Sequence, residues 1–342
     1  MEPIRVLMIT SEWPTTEHPW WAPFVARQAE FLRRAGIDVH VLPFRGAKNP
    51  FNYFKAWIQM KKTLRRDAYD LVHAQFGQSG LVGWSTHLPL VVTFRGGDIL
   101  GVKGDNDGRI TLAGRLLRQL CRLLAMRADA VIIVSEHMRK NIPRSVKLNV
   151  LPSGLDFDSV VCLPKLEARE RLGLPPDERL ILFAGDPSLE RKRHRLADEA
   201  VKILNKTLTA RLIIGWNVPH STIILLMNAC DVLLFTSSEE GSPNVVKEAL
   251  ACNMPIVSVA IADVPFRLRD VVGCEICADE RPETIAASVE RVLRSGQRTN
   301  GREAVQNLDE NLITAKVIDI YRSVLGMEPI GSAVSDKQPL HF

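Results

Sequence analysis

A predicted strand–turn–helix holds the residues whose types and spacing best suit chemistry. The apolar run Val232–Phe235 predicts a buried strand that leads the chain to Gly241. Ser242 is a favourable helix N-cap, and Pro243 suits the first helical position. The next amides would lack intrahelical acceptors at the positive end of a helix dipole; they belong to Asn244, Val245 and Val246. Such a turn is suited to binding an anion such as phosphate.

Two carboxylates, Glu240 and Glu248, bracket this turn at a spacing of eight residues. Glu248 would lie roughly 8–9 Å along the helix axis from the cap, which is about the span from a pyrophosphate to the ribose of a nucleotide. Because a carboxylate repels phosphate, each Glu is better suited to accept hydroxyl groups. We therefore predict that one faces a sugar and the other a ribose diol. The alternative is an ordinary capped helix with two solvated acids.

The extended pattern resembles a known signature. It runs Glu240-Gly241-Ser242-Pro243, then Lys247-Glu248-Ala249, and continues into Met254–Ser258. This arrangement is similar to the E-x7-E signature of the family-4 retaining glycosyltransferases, which have the GT-B fold. The resemblance covers nearly the whole chain and is specific in residues 185–260. It implies that Glu240 holds the transferred sugar and Glu248 the ribose of a nucleotide-sugar donor.

A basic cluster follows the predicted strand Leu180–Ala184. Its members are Arg191, Lys192, Arg193 and Arg195. Cations at a helix N-terminus oppose its dipole, so the cluster favours a bound phosphate over a solvated helix start. In the resembled family a basic pair six residues apart holds the donor diphosphate. Lys192 matches the second member, whereas Asp186 stands at the first, so we expect Arg191 or Arg193 to substitute.

In the first half of the chain, Val92–Asp98 ends a predicted strand with two glycines and two charged residues. Many members of the resembled family have a His near the reaction centre here, where this chain has Arg95. Arg cannot serve as a base but can bind a phosphate or polarise a hydroxyl. Gly96 and Gly97 would allow a ligand to approach closely. Asp98 either accepts the acceptor hydroxyl's proton or caps the loop, and both roles stay open.

Two further positions are candidates for acceptor contact. Ala22 and Pro23 stand where the resembled family normally has Gly, so this loop would have a different shape or a narrower choice of sugar. His73 ends another predicted strand. It is either a residue of the cleft or a satisfied interior histidine.

Several residues near these motifs carry weaker signals. The loop Trp216–His220 could line a pocket for the base, and surface packing explains His194 better than catalysis does. Asp231 precedes a strand and is expected to accept backbone amides. Cys274 and Cys277 form a close pair without a second pair, which predicts ordinary packing and not a zinc site.

Short apolar runs alternate with amphipathic stretches almost throughout, which is the pattern of parallel α/β units. The predicted strands are Ile4–Thr10, Asp38–Leu42, Asp70–Ala74, Leu90–Phe94, Ala130–Val134, Leu180–Ala184, Arg211–Gly215, Val232–Phe235 and Ile256–Val259. The predicted helices are near Phe24–Ala35, Phe51–Arg65, Leu112–Arg127, Glu136–Asn141, Arg193–Leu204, Thr222–Ala229, Pro243–Cys252 and Pro282–Arg294. They make two Rossmann-like, doubly wound parallel sheets, which in the GT-B fold face a central cleft.

The predicted domains follow from this alternation. Residues 1–152 would form the acceptor-binding domain and residues 153–311 the nucleotide-sugar-binding domain, with a linker near 150–165. A helix at about 312–325 has one apolar face, and the resemblance implies that it crosses back to the first domain. Residues 327–342 are expected to form a flexible tail.

Bulk composition is that of a globular protein, with 46% hydrophobic and 24% charged residues in a chain of 342. No apolar run reaches the roughly 18 residues needed to cross a bilayer. The N-terminal Ile4–Ile9 lacks a basic leader and a cleavage site, so we expect no signal peptide. Six scattered Cys indicate reduced thiols in a cytoplasmic protein.

Charge is divided unevenly along the chain. Residues 1–150 carry 22 Lys and Arg against 12 Asp and Glu, whereas residues 151–342 carry 22 against 27. No zinc finger, RNA-binding aromatic pattern or basic helix–turn–helix accompanies the basic half, so nucleic acid is not an expected partner. The segment Phe51–Arg66 mixes aromatic with basic residues. It is either a core-facing helix with a basic solvent face, or a peripheral attachment to the anionic inner face of the cell membrane.

The resemblance implies a retaining transfer of a sugar from a UDP- or GDP-sugar to a hydroxyl of a saccharide or lipid-linked acceptor, in the assembly of cell-envelope polysaccharide or glycolipid. The chain has no D-x-D pair at a strand end, so we expect no divalent metal and no other cofactor. Two alternatives stay open: a GT-B-fold epimerase of the nucleotide sugar, and a nucleotide-sugar-binding subunit that has lost catalysis. A dinucleotide-dependent reductase is disfavoured, because Ile9–Pro14 lacks G-x-G-x-x-G.

Overall fold

The computed structural model describes residues 2–47, 49–102 and 110–329, which form two compact units. The first unit comprises Met1–Gly154 and Glu310–Phe342, and the second comprises Leu155–Asp309. The predicted division at 152/153 lies two residues before the observed one. Of the predicted tail, residues 330–342 lie outside the described part of the chain.

Strands and helices alternate along the first unit. Their order is β1 (Arg5–Thr10), α1 (Pro23–Arg34), β2 (Asp38–Pro43), α2 (Pro50–Arg66), β3 (Leu71–Gln75), α3 (Gly77–Gly83), β4 (Leu90–Phe94), α4 (Gly97–Leu100), α5 (Leu112–Arg127), β5 (Ala130–Ile133) and β6 (Leu148–Val150). The helix predicted near Glu136–Asn141 is a 3₁₀ helix with these bounds.

The second unit repeats the alternation. It contains α6 (Lys165–Leu172), β7 (Leu180–Ala184), α7 (His194–Leu204), β8 (Arg211–Gly215), α8 (His220–Ala229), β9 (Val232–Phe235), α9 (Asn244–Ala251), β10 (Ile256–Ser258), α10 (Val264–Leu268), β11 (Glu275–Ile276), α11 (Pro282–Ser295) and α12 (Gly301–Ala304). The last helix, α13 (Glu310–Val324), belongs to the first unit.

Each unit is built on one parallel sheet within the described residues. The first sheet has the strand order β2-β1-β3-β4-β5-β6 and the second has the order β11-β10-β9-β7-β8. Most of the inner strands are buried along their whole length, because helices cover both faces of a parallel sheet. The prediction of two Rossmann-like parallel-sheet domains is confirmed.

Helix α3 is an element that the sequence did not predict. Its sequence contains three glycines, which are weak helix formers, and it has no amphipathic period. The glycines let α3 approach α5 closely: a Cβ on Gly77 would lie 2.4 Å from Sγ of Cys121, and one on Gly80 would lie 2.4 Å from Cδ2 of Leu124. Packing against α5 therefore stabilises α3, although its residues have a low intrinsic helix propensity.

Helix α13 packs on α1 within the first unit. Its apolar face buries Ile313, Val317, Ile320 and Tyr321, as the helical spacing of these residues predicted. Arg27 of α1 fixes the start of α13, since its Nε lies 3.1 Å from Oε2 of Glu310 and its Nη2 donates to the carbonyl of Gly154 at 2.8 Å. Both points where the chain leaves and re-enters the first unit are thus held by one guanidinium.

Within the described residues no helix is both long and apolar enough to cross a membrane.

Candidate functional site

The carboxyl ends of β7 and β9 bring two connecting segments together in the second unit. The strands are neighbours in the sheet, with Leu182 opposite Leu233. The segment after β7 therefore meets the segment after β9 at one sheet edge, where open α/β sheets bind ligands. The sequence predicted both segments as parts of the site.

Hydrogen bonds join the two segments residue by residue. The amide of Ser238 donates to the carbonyl of Arg191 at 2.8 Å. The hydroxyl of Thr236 lies 3.0 Å from the carbonyl oxygen of Lys192 and 3.2 Å from that of Arg193. In return, Nη2 of Arg193 donates to the carbonyl of Ser237 at 3.3 Å. The backbone around Lys192 is therefore held in place by the segment that leads to α9.

Lys192 and Glu240 form the centre of this arrangement. Lys192 Nζ lies 2.6 Å from Glu240 Oε1, and the two side chains are 15% and 14% exposed. Arg191 extends to the same oxygen, with Nη1 at 3.3 Å. Nζ of Lys192 also lies 5.9 Å from the ring centroid of Phe235, which ends β9. A partly dehydrated ammonium and its counterion thus stand where the sequence predicted a phosphate site.

The structure separates the two candidate substitutes for the missing basic residue. Arg191 reaches the Lys192–Glu240 pair, whereas the guanidinium of Arg193 is held by Glu280, with Nη1 at 2.6 Å from Oε2, and by backbone carbonyls. Arg193 adopts left-handed backbone angles (φ 52°, ψ 46°). The contacts with Glu280 and backbone carbonyls give Arg193 a structural role in the present arrangement, and its part in donor binding stays a prediction. Asp186 accepts hydrogen bonds from the amide and the hydroxyl of Ser188.

The turn before α9 differs from its prediction in one respect. Pro243 is the N-cap of the helix, and the hydroxyl of Ser242 caps nothing. Ser242 Oγ instead donates to Asp263 Oδ2 at 2.8 Å, and Arg267 Nε lies 2.6 Å from the same oxygen. The first amides of α9 still lack acceptors within the helix, as at every helix start; they are those of Asn244, Val245 and Val246. Gly241 is buried at the turn.

Glu248 lies one turn inside α9 and is nearly buried, with a side-chain exposure of 9%. Its Oε1 is 3.0 Å from Nε2 of His220, the first residue of α8. The sequence pointed to Trp216–His220 as a lining of the nucleotide pocket, and this contact places the end of that loop beside Glu248. The imidazole of His220 thus helps to fix the orientation of the Glu248 carboxylate.

Asp263 and Arg267 were missed by sequence reasoning. Asp263 is buried beside the α9 turn, and its Oδ1 has no hydrogen-bond partner among the described residues. The residue before Asp263, Ala262, has a positive φ of 51°. This conformation favours Gly, so a sequence with Ala at this position gave no sign of the turn.

Arg95 in the first unit lies at the centre of a polar network after β4. Its guanidinium donates to Gln75 Oε1 at 2.6 Å and to Ser153 Oγ at 2.8 Å, and it stands 4.7 Å from the ring centroid of Phe24. Burial lowers the pKa of Arg95 to about 10, so Arg95 stays cationic at neutral pH.

Asp98 is a loop cap. It is buried and accepts from the amides of Gly77, Arg95, Gly96 and Ile99. Burial raises its pKa, and the four amide donors oppose that rise. Of the two roles that the sequence left open, the structure supports the cap, and the prediction of a catalytic role is corrected. Gly96 has a positive φ of 148°, and Gly97 opens α4.

His73 is a satisfied interior histidine and not a cleft residue. It is fully buried, with Nδ1 2.6 Å from the hydroxyl of Tyr321 and Nε2 2.8 Å from that of Thr93. Burial, with help from the Arg95 charge, lowers the pKa of His73 to about 3. Its predicted acceptor contact is therefore wrong. Ala22 is also buried, with left-handed angles (φ 44°, ψ 50°) at the N-cap of α1.

The remaining predictions concern structural residues. Asp231 accepts from the amide of Leu180 at 2.7 Å, as expected. His194 packs against the ring of Phe183, with centroids 5.0 Å apart. Burial raises the pKa of both Cys274 and Cys277, which fits packing. The described residues contain no group of three or more His, Cys, Asp or Glu side chains placed to hold a metal ion.

Two family models match the chain along almost its whole length. Residues 4–153 match the glycosyl transferase 4-like domain, and residues 177–311 match the glycosyl transferases group 1 domain. The chain belongs to the GT4-type glycosyltransferases. The family recognised from the sequence is thereby confirmed, and this GT4-type chain carries the Lys192–Glu240 pair and the α9 turn inside its group 1 domain.

Curated relatives of this GT4-type chain are glycosyltransferases. A protein of Bacillus subtilis with the provisional name teichuronic acid biosynthesis glycosyltransferase TuaC is 25% identical over 328 residues, covering 76% of this chain and 82% of the relative. The D-inositol 3-phosphate glycosyltransferase of Mycobacterium tuberculosis is 26% identical over 280 residues, covering 68% of this chain. The chain spans only 56% of that second relative's length.

Solved structures share the GT-B fold with this chain. Sucrose-phosphate synthase from Thermosynechococcus elongatus gives a TM-score of 0.78 at 18% identity and covers 94% of this chain and 99% of its own. HepE of Anabaena, solved with UDP and glucose, gives a TM-score of 0.70 at 17% identity and covers 94% of this chain and 100% of its own.

Proposed function

We propose that this GT4-type glycosyltransferase is a retaining enzyme that moves a sugar from a UDP- or GDP-sugar to a hydroxyl acceptor without a divalent metal. The observation that carries the proposal is the Lys192 ammonium, held at 2.6 Å from Glu240 beside the turn that opens α9. A diphosphate bound at this turn would meet helix amides, Lys192 and Arg191 together.

The hard step of such a transfer is stabilising the diphosphate as its bond to the sugar carbon breaks. Negative charge then grows on the leaving oxygen, and preorganised donors around it lower the barrier. Lys192 is held in place by the hydrogen bond that its backbone carbonyl accepts from the hydroxyl of Thr236, which stays when a diphosphate displaces Glu240 from the ammonium. It therefore needs little reorganisation when the charge develops.

Glu240 has a different part. Without donor it neutralises Lys192 and is nearly buried. An incoming diphosphate competes for the same ammonium, and the released carboxylate can accept hydroxyl groups of the transferred sugar. Lys192 would then bind the phosphate, and Glu240 would accept hydrogen bonds from the sugar.

Glu248 would hold the ribose. One of its oxygens is fixed by His220, so the carboxylate is oriented before the nucleotide arrives. The corresponding complex of HepE contains UDP, which supports a uridine nucleotide as the first donor to test.

Retention of configuration would follow from front-face attack, in which the departing phosphate takes the acceptor proton. This route requires no protein base. It agrees with Asp98 being saturated by backbone amides and His73 being buried.

The setting we propose is polysaccharide or glycolipid assembly at the cytoplasmic face of the membrane, with a saccharide or lipid-linked acceptor. The name of the Bacillus subtilis relative supports cell-envelope polysaccharide. Peripheral attachment to the membrane is supported by the basic, aromatic helix α2.

A thermal-shift comparison of mono- and diphosphates tests the donor site. UDP and GDP should raise the melting temperature more than UMP and GMP, because at one ligand concentration a ligand that binds the folded state more tightly stabilises it more. In Lys192→Ala the advantage of the diphosphates should disappear. Lys202→Ala is the control, since Lys202 pairs with Asp198 on the outer face of α7. Equal shifts for mono- and diphosphates, or UDP bound away from the α9 turn in a soaked crystal, would contradict the proposal.

The product assay separates the alternatives. A transferase gives a glycosylated acceptor and free UDP or GDP. An epimerase releases a changed sugar nucleotide with no acceptor present, and a binding subunit shifts the melting temperature without turnover on any acceptor extract.

A further inference from the structure

Helix α5 carries an exposed apolar stripe that its fold does not explain. Its outward residues are Leu112, Leu116, Leu123 and Met126. Their spacings of four, seven and three residues keep them on one face of the helix. The opposite face is buried, at Gly114, Cys121, Leu124 and Ala125. The exposed fraction of Leu112 is 83% and that of Leu116 is 63%.

Helix α2 presents a second group of apolar residues to solvent. Its buried residues are Ala56 and Met60, with Tyr53 and Leu64 packed against the same core cluster. The aromatic side chains Phe51, Phe54 and Trp57 are exposed instead, and Phe54 stacks on Trp57 with ring centroids 5.8 Å apart. The alternative of a core-facing helix therefore holds for Tyr53, Ala56, Met60 and Leu64 but not for the three exposed aromatic residues.

The turn after α3 joins the two helices into one surface. Trp57 Nε1 donates to Ser85 Oγ at 2.8 Å, and Lys61 Nζ donates to the carbonyl of Ser85 at 2.7 Å. The next residue, Thr86, accepts from Arg127 at the end of α5 at 3.1 Å. Both helices also contribute to the same core cluster on one face of the first sheet.

The charge on this surface has one sign. Helix α2 contains five Lys and Arg, helix α5 contains four Arg, and neither helix contains an Asp or Glu. Arg115 and Arg122 flank the apolar stripe of α5 on one side. With Leu112 at 0° and a turn of ~100° per residue, they lie at about 300° and about 280° around the helix axis. Exposed apolar side chains with a basic border are the pattern of a helix that lies in a membrane interface.

We propose that the outer faces of α2 and α5 together form a docking surface for an anionic lipid bilayer, with the α5 leucines and the α2 aromatic residues in the acyl boundary. The basic side chains would face the phosphate head groups while their aliphatic stems lie along the apolar region. A second copy of this chain is a poor occupant, because a two-fold contact would bring two surfaces of the same positive charge together. The inference rests on the proposed function in one respect, that a lipid-linked acceptor gives the enzyme a reason to bind the membrane.

Vesicle sedimentation with the full chain tests the surface without any catalysis. Vesicles of phosphatidylglycerol and phosphatidylcholine should bind the wild type, and pure phosphatidylcholine should bind it at least about tenfold less. Raising the salt from about 0.05 M to about 0.5 M should weaken binding to the anionic vesicles. Donor binding, followed by thermal shift, is independent of this measurement, so failure of the surface and failure of the proposed function give different results.

Matched variants locate the contact. Leu116→Glu with Leu123→Glu should lower binding to anionic vesicles by at least about tenfold. Leu166→Glu is the control, because Leu166 is 62% exposed and lies on α6 of the second unit. Arg115→Gln with Arg122→Gln should lower binding and flatten its salt dependence. An unchanged melting temperature shows that each variant is folded.

Two results would overturn the proposal. One is wild-type protein that stays in the supernatant with anionic vesicles at low salt. The other is a wild-type dimer in solution that Leu116→Glu converts to a monomer, which would assign the surface to a second copy of the chain.

Discussion

Lys192 Nζ and Glu240 Oε1 lie 2.6 Å apart, although 48 residues separate Lys192 from Glu240 in the chain. The contact joins the segments that follow two neighbouring parallel strands. A diphosphate at the proposed donor site would therefore have to compete with Glu240 for the ammonium of Lys192.

Loss of the ammonium should remove most of the activity. In Lys192→Ala we expect kcat/KM to fall by about 10²–10³, the range found when one preorganised donor to a transition-state charge is deleted. Transfer from the donor to an acceptor measures the effect, with Lys202→Ala as the control. A Lys192→Ala enzyme of nearly full activity would remove Lys192 from the leaving-group role.

Loss of the counterion should act differently. In Glu240→Gln the ammonium loses its carboxylate, so UDP should bind at least as tightly as to the wild type. Turnover should nevertheless fall by about tenfold or more, because the amide is a weaker acceptor for sugar hydroxyls. Calorimetric titration with UDP gives the affinity and the transfer assay gives kcat. Weaker UDP binding in this variant would contradict the exchange of partners at Lys192.

The Glu248–His220 contact should govern the affinity for the nucleotide. We expect Glu248→Ala to raise the Kd for UDP by about 10- to 100-fold, since a hydrogen bond to a charged group contributes about 1.5–3 kcal/mol. His220→Ala should have a smaller effect, because it removes only the residue that orients the carboxylate. Glu303→Ala, at an exposed residue of α12, is the control. Unchanged UDP affinity in Glu248→Ala would exclude it from the ribose role.

Ala22 should be less favourable than glycine at its position. A residue with a Cβ costs about 1–2 kcal/mol in left-handed angles, and glycine recovers part of this at the expense of greater freedom in the unfolded chain. We expect Ala22→Gly to raise the free energy of unfolding by about 0.5–1 kcal/mol. Ala35→Gly at the other end of α1, where φ is −82°, should not stabilise. Denaturant unfolding gives both values, and a destabilised Ala22→Gly would show that no strain is stored there.

Stability should depend on the protonation of His73. The pKa of His73 is about 3 in the fold and 6.5 unfolded, so the unfolded chain binds the extra proton first as pH falls. The stabilisation that comes from keeping His73 neutral in the fold is fully present above pH 6.5. As pH falls toward 3, its loss lowers the free energy of unfolding by up to about 1.4 kcal/mol per pH unit. In His73→Gln the slope between about pH 4.5 and 6.5 should be smaller, as measured by denaturant unfolding. A His73→Gln variant with the wild-type slope would contradict the assignment.

The sequence predicted the sheets well because buried parallel strands are short apolar runs bounded by turns. Four predicted ranges, Leu90–Phe94, Leu180–Ala184, Arg211–Gly215 and Val232–Phe235, coincide with observed strands. The failures have a common cause in tertiary contacts. Helix α3 depends on close packing of its glycines against α5, and the half-buried edge strand β6 has only three residues.

The same division holds for the candidate site. Glu240, Lys192 and the α9 turn were predictable because they are local features beside strand ends. The role of His73 was not, because its partner Tyr321 lies 248 residues away on α13. Asp98 was ambiguous in sequence because a loop cap and a base use the same carboxylate, and only its four amide donors distinguish them.

The bond from the amide of Ser238 to the carbonyl of Arg191 has one further consequence. That amide proton can exchange with solvent deuterium only when the loops after β7 and β9 separate, which also releases the backbone of Lys192. A nucleotide that seats on Lys192 should therefore slow deuterium uptake at Ser238, even if no atom of the nucleotide touches it.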